Sequence, residues 1–252
     1  MNNRGTSVQA ETTVSGTDVV LAGQYWNLLF GTPTYFVSLS GSESLNAHLL
    51  RLLEKEYNNN HRSGENVARS LVGNGWRTSD DYLQRGDPAI RALHTHLLEH
   101  SHVAAQYGQP RQLSVRLSLS GWAVALGSGG SMREHVHPLA TWSGVYYVAV
   151  PPRAIGSQGG CLRFSDPRPG AQMVTLGPGD EQFMESRLVC PRAGMLVLFP
   201  AWLPHSVVPI EQAPAEEQQF SPGASRGPRL ASGAMLSRVA VAFNVHGGQQ
   251  AG

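Results

Sequence analysis

The stretch Leu113-Ser-Val-Arg-Leu-Ser-Leu119 decides the fold, because apolar and polar side chains alternate along it. A period of two residues is typical of a β-strand that buries one face. Short apolar runs separated by Gly- and Pro-rich clusters follow, and they predict strands at 122–126, 142–150, 161–165, 195–199, 205–210 and 238–245. Because no helical pattern lies between these strands, the chain from 113 onward is predicted to form an all-β sandwich, jelly roll or barrel.

Two amphipathic helices are predicted before the strands. The segment 42–57 places four leucines at helical spacing, and Ser42 is a suitable N-cap. Asp87-Pro88 is a capping residue followed by proline in the first turn, and this second helix is predicted to run to about Ala104. A short apolar, strand-like stretch at 35–39 precedes the first helix. The sequence therefore predicts a mainly β fold with an N-terminal helical layer.

Length and composition favour one domain. The chain has 252 residues, of which 41% are hydrophobic and 15% charged, and this is ordinary for a globular protein. We expect a single domain at 25–246, with the helical layer at about 42–104 and the β core at about 113–246. The polar start of the chain predicts a disordered tail at 1–24. The segment 211–237 has few large apolar residues and predicts a long loop.

The net charge and the cysteine content predict the kind of binding partner and the cellular compartment. Nineteen basic and eighteen acidic residues leave a formal charge of +1, which argues against a nucleic-acid or membrane-surface binder and favours a small molecule or peptide. Cys161 and Cys190 are too few for a disulfide framework and have no metal-ligand spacing, so reduced cysteines are expected. With no secretory-signal pattern and no run of about 18 apolar residues, the prediction is a soluble, cytoplasmic protein.

Three histidines form the candidate metal site. The segment Arg-Glu-His135-Val-His137-Pro places two imidazoles two residues apart, and positions i and i+2 of a strand share a face. Two imidazoles on one face are suited to bind one metal ion. The best third donor is His205, which follows Phe-Pro-Ala-Trp-Leu-Pro and opens a predicted strand. Three protein ligands leave metal positions open for substrates.

A second group of histidines lies in the second predicted helix: His94, His96, His100 and His102. His96 and His100 are one helical turn apart and could chelate a metal ion. The glutamate that a hydrolytic zinc helix carries directly after its first histidine is absent, however. We therefore interpret this group as the polar face of the helix.

An ordered series of motifs connects the candidate residues. It comprises His135-Val-His137-Pro, Ser143-Gly-Val-Tyr-Tyr-Val148, Phe164-Ser-Asp-Pro-Arg168, Leu198-Phe-Pro-Ala-Trp-Leu-Pro-His205 and Arg238-Val-Ala-Val-Ala-Phe-Asn244. Through this series the chain resembles the 2-oxoglutarate/Fe(II) oxygenases related to prolyl 4-hydroxylases. The resemblance is good from about Trp122 to Asn244 and looser from Leu29 to Trp76. It implies a double-stranded β-helix, or jelly roll, with iron at the mouth of the barrel, and it implies Fe(II) as the metal cofactor with 2-oxoglutarate and O2 as co-substrates.

Two features depart from the family pattern. Most members carry Asp or Glu two residues after the first histidine, whereas this chain has His137. A three-imidazole site would hold Fe(II) with one less negative charge, and Asp166 is an alternative source of a carboxylate. We rank His137 above Asp166 because adjacent strand positions need no help from loop geometry. The second departure is the long insertion between His205 and Arg238, where the usual connection is short.

Arg238 is the candidate for binding the distal carboxylate of 2-oxoglutarate, because a planar guanidinium forms a bidentate, charge-assisted pair. Arg229 and Arg163 are rivals. Alternation places Ala240, Ala242 and Asn244 on the same face as Arg238. The two alanines would leave room for the co-substrate, and Asn244 could add a polar contact.

Tyr146 and Tyr147 point to opposite faces of their predicted strand, so only one can enter the barrel. We take Tyr147 as the candidate whose phenol hydrogen-bonds a carboxylate of the co-substrate. Trp142 and Trp202 flank the metal motifs and are candidates for the substrate mouth, although packing is the more usual task of a tryptophan.

The predicted function is a 2-oxoglutarate- and Fe(II)-dependent dioxygenase that hydroxylates a small molecule or peptide. One alternative is a three-histidine, cupin-type metal enzyme that does not use 2-oxoglutarate. Another is a non-catalytic barrel that binds a small ligand. The connector 58–86 and the insertion 211–237 are candidate substrate-selecting lids, because loops around a rigid barrel often carry specificity. The substrate and the oligomeric state stay open at this point.

Overall fold

The computed structural model describes residues 31–60, 71–107, 115–150, 157–168, 170, 185–211 and 236–248. The elements in these ranges belong to one unit, Pro33–Gly252. The predicted tail at 1–24, residues 61–70 of the connector and residues 212–235 of the predicted loop lie outside the described residues. The domain limits and the lids therefore stay predictions.

Two α-helices match the predicted helical layer. Helix α1 (Glu43–Asn60) begins one residue after the predicted capping serine, and helix α2 (Pro88–Gln106) begins directly after Asp87. The Asp87 side chain accepts a hydrogen bond of 2.8 Å from the Ala89 amide, and so satisfies one free amide of the first turn. Within the described ranges no helix has both the length and the apolar character needed to span a bilayer.

The described β-strands form two antiparallel sheets. The strands are β1 (Tyr35–Ser38), β2 (Leu71–Val72), β3 (Gly75–Arg77), β4 (Arg116–Gly127), β5 (Ser131–His135), β6 (Trp142–Ala149), β7 (Leu162–Ser165), β8 (Ser186–Val189), β9 (Met195–Pro200), β10 (His205–Val207) and β11 (Leu236–Gly248). One sheet has the order β1-β9-β6-β11-β4-β3, and the other has the order β2-β5-β10-β7-β8. The predicted mainly β fold, a jelly roll with a helical layer, is confirmed.

The six-stranded sheet buries a different core on each face. On β11, Val239, Val241 and Phe243 pack in the cluster that contains the leucines of α1 and α2, whereas Ala240 packs with Tyr147 in a second cluster. The second cluster includes Leu162 and Phe164 of β7, so it lies between the two sheets. Because the pairing of β11 with β4 is regular from residue 238 onward, Arg238 faces the same side as Ala240, as alternation predicted.

Strand β4 is continuous where two strands were predicted. The sequence predicted a break near Gly121, because glycine usually interrupts a strand pattern. A Cβ atom on Gly121 would lie 2.7 Å from Leu83 Cδ1 and 2.9 Å from the Ala242 carbonyl oxygen. The glycine therefore marks the close approach of a short 3-10 helix at 82–84, and the strand runs past it.

Strands β2, β3 and β8 were not predicted from the sequence. β2 and β3 contain two and three residues, too few to show an alternating pattern. β8 is only four residues long, and it pairs at the edge of its sheet with β7 alone. These short edge strands depend on their partners more than on local sequence.

Cys161 and Cys190 form a disulfide between the residue before β7 and the residue after β8. This pairing differs from the expectation of reduced cysteines. The two residues are 29 positions apart, and only the pairing of β7 with β8, which sets Leu162 opposite Val189, brings them together. The sequence alone carries no signal for that register.

We expect Cys190→Ser to lower the free energy of unfolding by about 3 kcal/mol, because a cross-link over a loop of this length removes entropy from the unfolded chain. Urea denaturation with and without dithiothreitol measures the effect. The reductant should destabilise the wild type to a similar extent and leave the variant unchanged. If dithiothreitol did not change the free energy of unfolding of the wild type, the result would contradict the disulfide.

Candidate metal centre

The candidate centre lies where β5 and β10 meet. His135 is the last residue of β5, His205 is the first residue of β10, and the two are opposite each other in the sheet. His137 lies two residues beyond the end of β5, so the two histidines do not share a strand face as predicted. The His137 amide instead donates a hydrogen bond of 2.9 Å to the Ala201 carbonyl, in the turn before β10. That bond ties the segment after β5 to the segment that carries His205.

The three imidazoles converge on one point. Nε2 of His137 lies 3.2 Å from Nε2 of His205, and the His135 ring centroid lies 4.4 Å from that of His205. One ligand atom from each histidine lies within 4.8 Å of the other two. Two nitrogens at about 2.1 Å from one metal ion would be about 3.0 Å apart at a right angle and about 3.4 Å apart in a tetrahedron. The observed spacing of 3.2 Å therefore fits a shared ion.

Backbone carbonyls fix which nitrogen of two of these rings faces the centre. Nδ1 of His135 lies 2.7 Å from the Arg133 carbonyl oxygen, and Nδ1 of His205 lies 2.9 Å from the Leu203 carbonyl oxygen. A carbonyl only accepts, so each Nδ1 carries the proton and each Nε2 presents a lone pair. Metal-binding histidines commonly donate their other N–H in this way. The donor set thus fits a divalent metal ion.

Burial keeps two of the imidazoles neutral. Burial, together with a smaller effect of the neighbouring His135 ring, lowers the pKa of His205 to about 3 and that of His137 to about 4. The neutral imidazole is the form that binds metal ions. Both rings are therefore ready to bind a metal at physiological pH without first losing a proton.

These pKa values predict how the stability of the metal-free protein changes with pH. The unfolded chain protonates both rings near pH 6.5, whereas the folded protein does so only near pH 4 and pH 3. Stability should therefore fall as the pH drops below 6.5, by about 1.4 kcal/mol per pH unit for each ring. Urea unfolding after removal of metal by a chelator, from pH 7.5 to 4.5, measures the slope. A double variant, His137→Gln/His205→Gln, should show a flatter slope, and an unchanged slope would contradict this account.

A buried cation lies elsewhere between the sheets. Arg238 is 2% exposed, and its Nε donates a hydrogen bond of 3.0 Å to the Gly160 carbonyl. Among the described residues no carboxylate forms an ion pair with it. An uncompensated buried charge is costly. Such a group is retained more readily where an anionic ligand neutralises it.

Tyr147 adds a hydrogen-bond donor beside this cation. The guanidinium carbon of Arg238 lies 5.1 Å from the centroid of the Tyr147 ring. The Tyr147 hydroxyl is buried beside the Arg238 side chain, and among the described residues no acceptor takes its proton. Burial raises the pKa of Tyr147, so the phenol keeps its proton. Tyr146 points the other way and donates to Asn46 of α1 at 2.7 Å, so Tyr147 is the tyrosine between the sheets.

Asn244, predicted to contact the co-substrate, lies beside a metal-ligand candidate. Its Oδ1 accepts a hydrogen bond of 3.1 Å from the Ser143 hydroxyl. The amide also acts as a hydrogen-bonding partner of the His137 ring, which it favours in the protonated form. This neighbourhood was not apparent from the sequence, because it depends on the pairing of β11 with β6.

The alternative candidates for the metal site and for the carboxylate site do not lie with the three histidines or with Arg238 in the described residues. Asp166 forms an ion pair with Arg168 at 2.6 Å, which lowers the pKa of the carboxyl group, and it lies outside the histidine group. Arg163 alternates with Leu162 and Phe164, which face the core between the sheets, so it faces the other way. Arg229 lies outside the described residues.

The histidines of α2 form no second centre. Nδ1 of His100 lies 2.9 Å from the Tyr35 hydroxyl, and His96 lies 3.6 Å from the Glu99 carboxylate. Among the residues that the structure describes, the three histidines at 135, 137 and 205 are the one group of three or more potential ligands that converge.

Several apolar side chains close in sequence to the three histidines are exposed to solvent. Trp202 is 54% exposed and Leu139 is 97% exposed. Val136, between the two neighbouring histidines, is also exposed. Leu139 has a φ of 72°, a left-handed conformation that costs energy for a leucine. Trp142 differs from Trp202, because it packs against the core under the helices.

Comparison with known proteins identifies the family to which part of the chain is similar. Residues 120–218 match the family described as "Putative 2OG-Fe(II) oxygenase". The resemblance predicted from the motifs is thus confirmed over this segment, and the family description contains the predicted metal and co-substrate. No match to a curated protein sequence is found.

Solved structures confirm the fold. A prolyl hydroxylase from Trichoplax adhaerens, solved with a hypoxia inducible factor oxygen degradation domain peptide fragment, is 16% identical with a TM-score of 0.52, and the match covers 84% of this chain and 83% of that one. HygX from Streptomyces hygroscopicus, solved with nickel and 2-oxoglutarate, is 12% identical with a TM-score of 0.51, with coverages of 85% and 83%. The carbocyclase SnoK from nogalamycin biosynthesis is 13% identical with a TM-score of 0.52, with coverages of 85% and 79%.

Proposed function

We propose that this chain is a 2-oxoglutarate- and Fe(II)-dependent dioxygenase that hydroxylates a small molecule or a peptide. The observation that carries the proposal is the presence of two complementary sites. One is a group of three imidazoles that converge on a single point. The other is the buried guanidinium of Arg238, which has no carboxylate partner among the described residues. A metal ion and a dicarboxylate satisfy both.

The two sites share one apolar environment. Phe164 and Phe199 belong to the same core cluster as Tyr147. The Phe199 ring centroid lies 4.7 Å from that of His205, and the Phe164 centroid lies 6.4 Å from it. A ligand that bridges the sites would therefore be surrounded by apolar side chains, which strengthens each polar contact that it makes.

In this proposal each group has a defined task. His135, His137 and His205 bind Fe(II), while Arg238 and Tyr147 bind the distal carboxylate of 2-oxoglutarate. When bound, the metal and co-substrate supply the oxidation: O2 and 2-oxoglutarate give succinate and CO2, and one oxygen atom enters a C–H bond of the substrate. The neutral imidazoles hold the metal without a charge of their own, and the phenylalanine wall excludes water.

The exposed apolar residues support a substrate with an apolar group. Trp202, Val136 and Leu139 are solvent-exposed and lie close in sequence to the three histidines, and exposed apolar side chains that cluster often mark a binding surface. The Trichoplax enzyme was solved with a peptide and HygX with hygromycin B, so this fold accommodates both peptides and small molecules in other proteins.

Binding and turnover test the proposal together. Purified protein is titrated with Fe(II) and then with 2-oxoglutarate under anaerobic conditions, and succinate is measured after O2 and ascorbate are added. We expect one Fe(II) per chain, saturable binding of 2-oxoglutarate and slow succinate formation even without substrate. Metal binding without any response to 2-oxoglutarate would favour a cupin-type enzyme. Absence of stoichiometric metal would favour a non-catalytic barrel.

A further inference from the structure

His137 is the metal-ligand candidate that secondary structure supports least. It lies outside the strands, whereas His135 and His205 lie within paired strands and have Nδ1 bound to backbone carbonyls. An imidazole offers one ligand atom in the plane of its ring, so a rotation of the side chain moves the lone pair away from the metal. Other groups must therefore hold the His137 ring.

Trp122 of β4 contacts one face of this ring. The two rings are stacked, with centroids 5.8 Å apart and planes 19° apart. The His137 ring is in turn nearly parallel to that of His205, with an angle of 7°. Stacking against an indole restricts the rotation of the imidazole about its last side-chain bond. Trp122 thus keeps His137 parallel to its neighbouring ligand.

The indole is itself held in place. The guanidinium carbon of Arg77 lies 4.7 Å from the centroid of the Trp122 ring, in a cation–π contact. Arg77 belongs to β3, which pairs with β4, and it also forms an ion pair with Asp80. The ring of Trp122 is therefore supported by a neighbouring strand and not only by its own backbone.

Asn244 is a hydrogen-bonding neighbour of the His137 ring, whereas backbone carbonyls bind Nδ1 of the other two histidines. The Asn244 amide is opposite Ser143 in the sheet, and the Ser143 hydroxyl donates to its Oδ1. An amide oxygen has two lone pairs, so it can accept from Ser143 and from an imidazole N–H at once. With Nε2 of His137 directed at Nε2 of His205, the N–H of His137 is best placed on the other nitrogen.

We propose that Trp122 and Asn244 are positioning residues for His137: the indole fixes the plane of the imidazole, and the amide oxygen fixes its tautomer, so that Nε2 faces the metal. The inference rests on the proposed function in that it takes the three histidines as the metal ligands. Two side chains would then orient the imidazole. A carboxylate ligand at this position would need less orientation, because it offers two oxygens and a negative charge.

Metal affinity tests this inference, with Co(II) as the probe because its visible absorption reports on the number and geometry of its ligands. We expect Trp122→Ala and Asn244→Leu to raise the Kd for Co(II) by about 10- to 100-fold, as is typical when the partner of a ligating histidine is lost. Trp122→Phe, which keeps a ring to stack, and Asn244→Asp, which keeps an acceptor, should recover most of the affinity. The matched controls are Trp142→Phe and Asn46→Ala, which change residues outside the centre and should leave the Kd unchanged.

A second background separates positioning from general damage to the fold. In a His137→Asp protein the ligand is a carboxylate, so Trp122→Ala should change the Kd for Co(II) by less than about 3-fold, a coupling that a double-mutant cycle measures. Equal effects of Trp122→Ala in both backgrounds would overturn the inference, as would a wild-type Kd in Asn244→Leu. A wild-type protein that binds neither Co(II) nor Fe(II) would instead refute the proposed function.

Discussion

Replacing His205 by alanine should abolish stoichiometric Fe(II) binding. His205 is 6% exposed, its Nδ1 is fixed by the Leu203 carbonyl, and its Nε2 faces that of His137. Two imidazoles would remain, one of them on an irregular segment. The loss should exceed the roughly 10- to 100-fold change typical of residues that only support a ligand. Anaerobic Fe(II) titration and metal analysis of the purified protein measure it.

Two further variants make this result specific to the centre. His205→Gln fills more of the space next to Phe199 than alanine does, so a loss of metal in both variants cannot be attributed to a cavity. His100→Ala removes a histidine of α2 that contacts Tyr35, and it should bind one Fe(II) as the wild type does. Loss of iron from His100→Ala with retention in His205→Ala would move the metal site to the helix.

The parts of this site that could be predicted are those with a local signal. His205 opens a strand after an apolar run and a turn, and Arg238 lies near the start of an alternating strand, so each could be placed from its immediate neighbours. The same alternation correctly placed Tyr147 and Tyr146 on opposite faces. Which face lies between the sheets depends on the helices, since Tyr146 reaches Asn46 of α1.

The parts that could not be predicted depend on contacts between distant segments. His137 is held by a hydrogen bond to Ala201, 64 positions away, and not by strand geometry. Trp122 stacks on His137 only because β4 and the segment after β5 converge. The disulfide between Cys161 and Cys190 likewise needs the register of β7 and β8. In each case the sequence shows which residue is present, but the pairing of the strands determines which residue it contacts.

The positive charges between the sheets favour an anionic ligand. Three neutral imidazoles bring no negative charge to a divalent ion, and Arg238 adds a positive charge that no described carboxylate balances. A centre with a carboxylate ligand would lower the positive charge by one. A three-histidine centre should therefore attract a dianion such as 2-oxoglutarate more strongly than a centre with a carboxylate ligand. The charge of the metal ion is then not reduced by its protein ligands.

Arg238→Met should weaken 2-oxoglutarate binding by at least about 100-fold, since removal of one partner of a buried, hydrogen-bonded charge pair costs about 3 kcal/mol or more. The same change should leave the ligand-free protein as stable as the wild type or more stable, because it removes a buried and unpaired charge. Arg238→Lys should recover little of the affinity, as an ammonium cannot form the bidentate pair. Calorimetric titration with 2-oxoglutarate at saturating Co(II) and urea unfolding measure the two effects.

The opposite signs of these two effects distinguish a ligand-binding arginine from a structural one. If Arg238 were only structural, held by the Gly160 carbonyl, its replacement would lower the free energy of unfolding of the protein. The affinity for 2-oxoglutarate would then fall only because the protein is less stable. Tyr147→Phe should weaken 2-oxoglutarate binding by about 10-fold, the contribution of one hydrogen bond to a charged group. Arg163→Met changes an arginine on the other face of β7 and should leave binding unchanged. If Arg163→Met and Arg238→Met weaken binding equally, the proposed anion site between the sheets is wrong, because of these two arginines Arg238 alone faces that space.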